Sequence, residues 1–235
     1  WENTNENKNK VVHLNENTGG AGGFYEGLKI ALNLNADWIW VADDDAYAAS
    51  NTFEIANNFL EEHKNENISA LCTSVEANNK IVLECRRRIQ KKFFNILENN
   101  VSLNEYKKNY FQCDLLTYAG GILNKEKLKQ VGITEKDYFI YYDDTEHSYR
   151  LSQVGKIYCI PSIKLIHDVP DIDIKTMPTS WKEYYKIRNY LLFLEKHFSK
   201  RYYLWKYFYY LIKGSIRIII NKRKEKGYLE LAAIH

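Results

Sequence analysis

The chain has 235 residues, of which 45% are hydrophobic and 14% aromatic, and a formal net charge of +3. This composition supplies a core and excludes an intrinsically disordered chain. No window of 18 or more apolar residues could span a bilayer, and Cys72, Cys85, Cys113 and Cys159 form no CxxC pair, which excludes a zinc ribbon or a disulfide framework and suits buried thiols in a reducing cytoplasm.

The first ten residues are polar and Asn-rich, unlike a secretory signal. Lys10 to Leu14 predicts a short strand that runs into a turn-rich loop, Asn15 to Gly23, and then a helix over Phe24 to Asn33. A glycine-rich loop opening a helix brings backbone N–H groups and a positive helix end near a phosphate. The loop matches neither common nucleotide motif: a GxGxxG starting at Gly20 would need glycine where Tyr25 stands, and no Gly-Lys-Ser/Thr follows. Glycines that only permit tight helix-sheet packing are the alternative.

Trp38 to Ala42 predicts a short strand buried on both faces, ending in Asp43-Asp44-Asp45. Three adjacent carboxylates raise one another's pKa values unless a cation sits among them, and ligands of open α/β sheets collect beyond the carboxyl ends of strands. A hard divalent ion with oxygen ligands suits the triplet; an acidic loop opening a helix explains it as well.

Asn51 to Lys64 predicts a helix, with Asn51 and Glu54 as a capping box, and Ile68 to Thr73 a strand, with Lys80 to Cys85 pairing nearby. Arg86-Arg87-Arg88 reads as a solvated basic run more than an anion grip, and residues 90–112 carry no clear pattern. Leu115 to Leu123 predicts a strand ending against a Gly120-Gly121 turn, where paired glycines suit close backbone approach to a ligand or a bulge, followed by a helix over Lys125 to Gln130, capped by Asn124 and stopped at Gly132.

Tyr138 to Tyr142 reads as another buried strand, running into Asp143-Asp144-Thr145-Glu146-His147 and a helix to Val154. A second acidic cluster beside aromatic residues is a candidate general-base position, and helix capping is compatible with it. Strands over Lys156 to Pro161 and Ile163 to Ile166 lead to His167, which is structural unless the fold sets it beside the Asp triplet. Residues 169–179 form a loop long enough to act as a lid.

The C-terminal region differs in character. Residues 181–235 hold 13 Lys and Arg against 4 Asp and Glu, with 14 of the 34 aromatics, whereas the preceding 180 residues hold 20 basic against 26 acidic. Ser180 and Glu183 form a capping box for a helix to about His197, and Lys200 to Asn221 predicts a second helix dense in Tyr, Trp, Lys and Arg. Cations interrupt its apolar residues, which favours lying at a membrane surface over spanning it; a helical hairpin packed on the body or on another subunit is the alternative. The acidic body argues against nucleic acid.

With these stretches placed, the chain resembles the family 2 glycosyltransferases of the GT-A type, and looks closest to the galactofuranosyltransferases and rhamnosyltransferases of bacterial surface polysaccharide synthesis. The carrying motifs, in family order, are Asn17-Thr18-Gly19-Gly20-Ala21-Gly22-Gly23-Phe24, Trp40-Val41-Ala42-Asp43-Asp44-Asp45, Ala119-Gly120-Gly121, Tyr141-Tyr142-Asp143-Asp144-Thr145-Glu146, Ile166-His167-Asp168 and Tyr184-Tyr185-Lys186-Ile187-Arg188-Asn189.

The resemblance implies an α/β fold with a mixed, Rossmann-like sheet over residues 1–179 and a helical, basic-aromatic appendage over 180–235. It implies Asp43, Asp45 and His167 as ligands of Mn²⁺ or Mg²⁺, and Asp44, Asn17, Gly19, Gly20, Gly22, Gly23, Gly120 and Gly121 along a nucleotide-sugar donor. Asp144 matches the general base, with Asp143 and Glu146 supporting it or binding acceptor hydroxyls. The implied reaction is inverting, metal-dependent transfer, from UDP-galactofuranose or alternatively dTDP-rhamnose, onto a glycan or lipid-linked acceptor at the inner face of a bacterial membrane. A sugar nucleotidyltransferase and a non-catalytic glycan-binding subunit are the other classes, and an oligomer is compatible with all of them. Family members open with an apolar strand reaching a turn that holds the nucleotide base; here Trp1 opens a polar stretch, so the expectation is an N-terminally truncated domain or a base held by other residues.

Overall fold

The computed structural model describes residues 11–168, 179–220 and 223–234. A central mixed sheet carries the molecule. Its strands are β1 (Trp38–Val41), β2 (Ala46–Ala48), β3 (Ile68–Ala77), β4 (Lys80–Ile81), β7 (Phe111–Cys113), β9 (Gly121–Asn124) and β10 (Lys156–His167). The order is β1-β9-β3-β10-β2, with β4 on β3 and β7 on β10. Only β3 and β10 run parallel; the other pairs are antiparallel. A smaller sheet, β6-β5-β8, is built from β5 (Arg86–Lys91), β6 (Ile96–Asn100) and β8 (Leu115–Leu116).

Two apolar layers sandwich the main sheet. One packs Leu28 of α1 (Gly19–Ala31), Leu128 of α3 (Lys125–Val131) and Leu151 of α4 (Asp143–Val154) against Ile39, Ala70 and Ile157. The other packs Ala56 and Phe59 of α2 (Thr52–Glu62) against Leu71, Ile122 and Tyr158. Burial of each such Leu or Ile contributes about 1.5–3 kcal/mol. Asn124 caps α3 as its sequence indicates, its Oδ1 accepting from the Lys127 N–H at 3.0 Å, and Gly132 ends the helix at φ +80°. The fold is α/β of the expected mixed-sheet type.

Several local expectations give way to tertiary packing. Residues 11–14 are outside any strand, and Lys10 lies outside the described residues. The first helix starts at Gly19, so the glycines form its first turns and not a loop before it. Strand β1 pairs only with β9 among the described residues, so Ile39 and Val41 are buried while Trp38 and Trp40 are half-buried over α2. The 115–123 run splits between the two sheets, and Lys80 to Cys85 is a two-residue strand followed by a 3-10 turn. Lys156 to His167 is one strand, with an irregularity between Ile160 and Lys164. No side chain caps α2 at Asn51, and among the described residues Ser180 Oγ accepts only from the Lys182 N–H, at 3.3 Å.

The largest departure is Tyr138 to Tyr142. Its aromatic run mimics a buried strand, yet it forms a 3-10 turn and then left-handed residues at Phe139, Tyr141 and Tyr142 (φ +64°, +65° and +69°). Each ring has a separate destination: Tyr138 is buried completely, whereas Tyr142 packs on Tyr190 and Phe193. The lid-length loop over 169–179 lies, save for its last residue, outside the described residues.

Among the described residues three helices follow β10: α5 (Lys182–His197), α6 (Lys200–Ile219) and α7 (Lys224–Ala232). Tyr190, Phe193 and Leu194 of α5 share a core with Ile96, Leu115 and Tyr149, so the basic region is packed on the body. Helix α7 follows α6 closely because Gly214 and Gly227 face each other; a Cβ at Gly227 would stand 2.8 Å from the Gly214 carbonyl oxygen. No described helix is long and apolar enough to cross a membrane.

Candidate functional site

The aspartate triplet follows β1 and leads into β2, which pairs with the end of β10 so that Ala46 stands opposite His167. This pairing is why residues 45 and 167 meet. His167 Nε2 lies 3.0 Å from Asp45 Oδ1, and the Asp168 N–H donates to the Asp45 carbonyl oxygen at 2.9 Å. One ligand atom each from Asp43, Asp45 and His167 fall within 4.8 Å of one another. Burial raises the Asp43 carboxyl above its usual range, with His167 opposing the shift and Asp45, Asp144 and Asp44 adding to it. Two carboxylate oxygens and an imidazole nitrogen, short of positive charge, form a donor set that fits a divalent cation of the Mn²⁺ kind.

The second acidic centre is the first turn of α4. Asp144 Oδ1 accepts from the Thr145 N–H at 2.5 Å and from the Thr145 hydroxyl at 3.0 Å, and Arg87 Nη2 donates to that hydroxyl oxygen at 2.7 Å. Burial raises the Asp144 carboxyl, while the Arg87 guanidinium and the Thr145 hydrogen bonds pull it down. Asp143, buried and next to Asp144, is pushed up to about 7. Burial thus raises both carboxyls, while the cation and the hydrogen-bond donors favour the anionic form on Asp144 over that on Asp143.

Both centres open on one cleft of about 1000 Å³, whose wall includes Gly20, Asp43, His167, Asp143, Asp144 and Arg87. Helix α1 presents its N-terminal end there: Asn17 Oδ1 accepts from the Gly19 N–H at 3.0 Å, and the Ala21 N–H donates to the Phe139 carbonyl at 3.1 Å. Thus the glycine turn is tied to the segment that presents α4.

Other expected site residues stand elsewhere. Asp44 is exposed and outside the cleft wall. Gly19 and Gly22 make room for neighbours: a Cβ at Gly19 (φ +68°) would stand 2.0 Å from the Phe139 carbonyl oxygen, and one at Gly22 2.0 Å from Thr18 Oγ1. Gly23 borders a separate, smaller cavity with Val12 and Leu14. Gly120 (φ +73°) backs onto Thr73, and Gly121 is buried in β9 against Val41. Glu146 points away from the cleft: it is 1% exposed, takes three hydrogen bonds of 2.9–3.0 Å from Arg150, and lies 2.8 Å from His197 Nε2. Burial alone would raise its carboxyl, but the His197 and Arg150 hydrogen bonds outweigh that and hold it at about 2. Its role is to tie α4 to α5.

Five residues take positions that their local sequence does not indicate. The basic run is not a solvated patch: Arg86 is buried, donating to the carbonyls of Thr73, Cys85 and Ala119 at 3.0, 2.7 and 2.8 Å. Arg87 joins the cleft, paired with Glu98, which also accepts from the Tyr142 hydroxyl at 3.0 Å. Lys186 of α5 and Lys206 of α6 reach the same cleft. Asn189 is fully buried beneath the acidic turn and donates from Nδ2 toward the carbonyls of Tyr138, Ile140 and Tyr141 at 2.9, 2.9 and 2.8 Å. Their sequence signal was position within a motif or a charge run, which does not give direction.

Residues 2–122 match the model of the family described as Glycosyl transferase family 2. The chain is 27% identical over 146 residues to galactofuranosyltransferase GlfT1 of Mycolicibacterium smegmatis, covering 59% of this chain and 46% of that protein. It is 30% identical over 94 residues to dTDP-rhamnosyl transferase RfbF of Shigella flexneri, covering 37% of this chain and 32% of that one. The chain thus spans less than half the length of these curated relatives. Among solved structures it is similar to GalNAc-T7 with UDP, GalNAc and Mn²⁺, at a TM-score of 0.58 and 14% identity, over 93% of this chain and 42% of that one. The mixed sheet with flanking helices is therefore a GT-A fold, and the chain belongs to glycosyl transferase family 2.

Proposed function

We propose that this chain carries the catalytic site of an inverting, divalent-cation-dependent glycosyltransferase that moves galactofuranose from UDP-galactofuranose onto a glycan or lipid-linked glycan in bacterial cell-surface polysaccharide synthesis. One observation carries the reading: a single cleft holds a cation-type triad, Asp43 and His167 in its wall with Asp45 beside them, and an acidic pair on a helix N-terminus, Asp143 and Asp144. The divalent ion, Mn²⁺ or Mg²⁺, would be held by Asp43, Asp45 and His167, and imidazole in the set favours Mn²⁺. When bound it supplies Lewis-acid neutralisation of the diphosphate leaving group.

The chain's own residues do the rest. Gly20, in the cleft wall at the N-terminal end of α1, sits where the positive end of the helix favours a diphosphate. Asp144, toward whose anionic form Arg87 and Thr145 work against burial, takes the proton of an acceptor hydroxyl as its oxygen attacks the anomeric carbon. The carbon–oxygen bond to the nucleoside diphosphate breaks on the opposite side, so configuration inverts. Asp143, beside it in the cleft wall, holds the acceptor hydroxyls by hydrogen bonding.

The donor assignment follows the galactofuranosyltransferase relative, and the Shigella relative supports dTDP-rhamnose as the alternative. Calorimetry of the chain with UDP-galactofuranose and dTDP-rhamnose, each with Mn²⁺, separates them. Heat with the UDP sugar is expected; heat with dTDP-rhamnose alone would move the assignment, and no heat with either would favour a non-catalytic glycan-binding role. Pyrophosphate-dependent exchange of a UDP-sugar would instead identify a nucleotidyltransferase.

A further inference from the structure

Helix α6 has one face with no counterpart among the described residues. Trp205, Phe208, Tyr209, Ile212, Ile216 and Ile219 recur at helical spacing, so they form one stripe, and each is between 44% and 80% exposed. The helix has 20 residues, so the stripe runs along an element about 30 Å long. Its opposite side is already satisfied, with Tyr203 and Tyr207 packed on Ile187 and Leu191 of α5 and Gly214 against Gly227. At one end the tip of the β5–β6 hairpin extends the stripe: Phe94 stacks on Trp205 with ring centroids 5.2 Å apart, and Phe93 is 72% exposed.

The charge around the stripe selects the occupant. Helix α6 carries five Lys and Arg and no Asp or Glu. Lys213 and Arg217 share the buried Glu230 of α7, whereas Arg201 lies over the Phe93 ring and Lys91 over that of Phe198, so cations flank the aromatic end of the stripe. A second copy of the chain would set two such cationic helices against each other. An anionic surface would be attracted, and Trp and Tyr beside cations favour the headgroup level of a bilayer.

We propose that this face of α6, with the Phe93–Phe94 hairpin tip, seats the protein on an anionic lipid bilayer. Lys206 and Tyr210 of the same helix line the cleft, so seating sets the cleft beside the membrane. The consequence for chemistry, a lipid-linked acceptor, rests on the transferase reading above; the surface itself does not.

The test is cosedimentation of the full chain with vesicles of phosphatidylcholine alone and of phosphatidylcholine mixed with phosphatidylglycerol. Binding to the anionic vesicles is expected, weakened by salt, and weakened about tenfold or more in the double variant Phe208→Glu/Ile212→Glu. Both side chains are exposed, so circular dichroism and melting of the variant should match the parent protein. Equal binding to neutral vesicles, no binding to either, or binding unchanged in the variant would each overturn the proposal. So would sedimentation equilibrium showing a dimer that the variant abolishes. UDP binding with Mn²⁺ in the absence of vesicles tests the transferase reading separately, because its failure would leave vesicle binding intact.

Discussion

Asn189 Nδ2 lies 2.8 Å from the carbonyl oxygen of Tyr141, and it faces the carbonyls of Tyr138 and Ile140 at 2.9 Å each. A side chain of α5 thereby holds the left-handed segment from which α4 and its acidic turn begin. Backbone at positive φ in three aromatic residues is costly and persists only where the surroundings impose it. Replacing Asn189 by Ala strands buried carbonyl groups, and about 3 kcal/mol of stability should go with them. Urea unfolding measures this, and a loss under about 1 kcal/mol would show that the segment holds its shape without α5.

The acid–base assignment predicts a division of labour. Asp144→Asn should lower transfer about 10²–10⁴-fold, the usual worth of a general base, while leaving Mn²⁺-dependent UDP binding within about twofold of the parent protein. Asp45→Ala should do the reverse in binding, weakening Mn²⁺ by more than about tenfold, since even outer-shell partners of a metal are worth that much. Steady-state kinetics and Mn²⁺ titration by electron paramagnetic resonance read the two effects apart. Normal turnover by Asp144→Asn would remove the base assignment.

His147 predicts a pH dependence of stability. It is fully buried, with Nδ1 2.6 Å from the Tyr118 hydroxyl and Nε2 3.1 Å from the Gly132 carbonyl oxygen. Burial, with Arg150 adding to it, lowers its pKa from 6.5 to about 3. The unfolded chain takes up this proton below its ordinary pKa and the folded chain does not, so the stability contributed above about pH 6.5 is lost as pH falls toward 3. The slope is about 1.4 kcal/mol per pH unit in that window. Asp143 works against it, because its folded pKa is raised: it stabilises at low pH, and that contribution is lost as pH rises from about 4 to 7. Comparing His147→Gln with the parent protein across pH 4 to 6.5 isolates the histidine, and the stability advantage of the parent should shrink steadily as pH falls.

Neighbouring glycines should behave in opposite ways. Gly19→Ala meets both a positive φ and the Phe139 carbonyl oxygen at 2.0 Å, and should cost about 2 kcal/mol or more. Gly20→Ala meets nothing within 4 Å, so stability should hold or rise by up to about 1 kcal/mol. Gly20 lines the cleft, however, so its variant should bind UDP more weakly. Thermal melting and UDP titration of the two variants check the contrast, which would collapse if Gly20→Ala kept full UDP affinity.

Local chemistry alone determined a good part of this protein. Asn124 and Gly132 delimit α3 because a cap and a left-handed stop are properties of single residues, and the apolar runs of β1, β3 and β10 declare themselves by composition. The acidic residues at both halves of the cleft were legible because ordered motifs put carboxylates just after apolar or aromatic runs. Only the tertiary structure decided which charges face the cleft. Arg86 turns under the floor while Arg87 turns into it, because successive residues of β5 point to opposite sides and the two faces meet different neighbours. Glu146 looked like part of the acidic site, but packing of α5 supplies His197 on the far side of α4, and the carboxylate goes with its cations. The meeting of His167 with Asp45, 122 positions away, depends on the pairing of β2 with β10, a contact that no local pattern encodes.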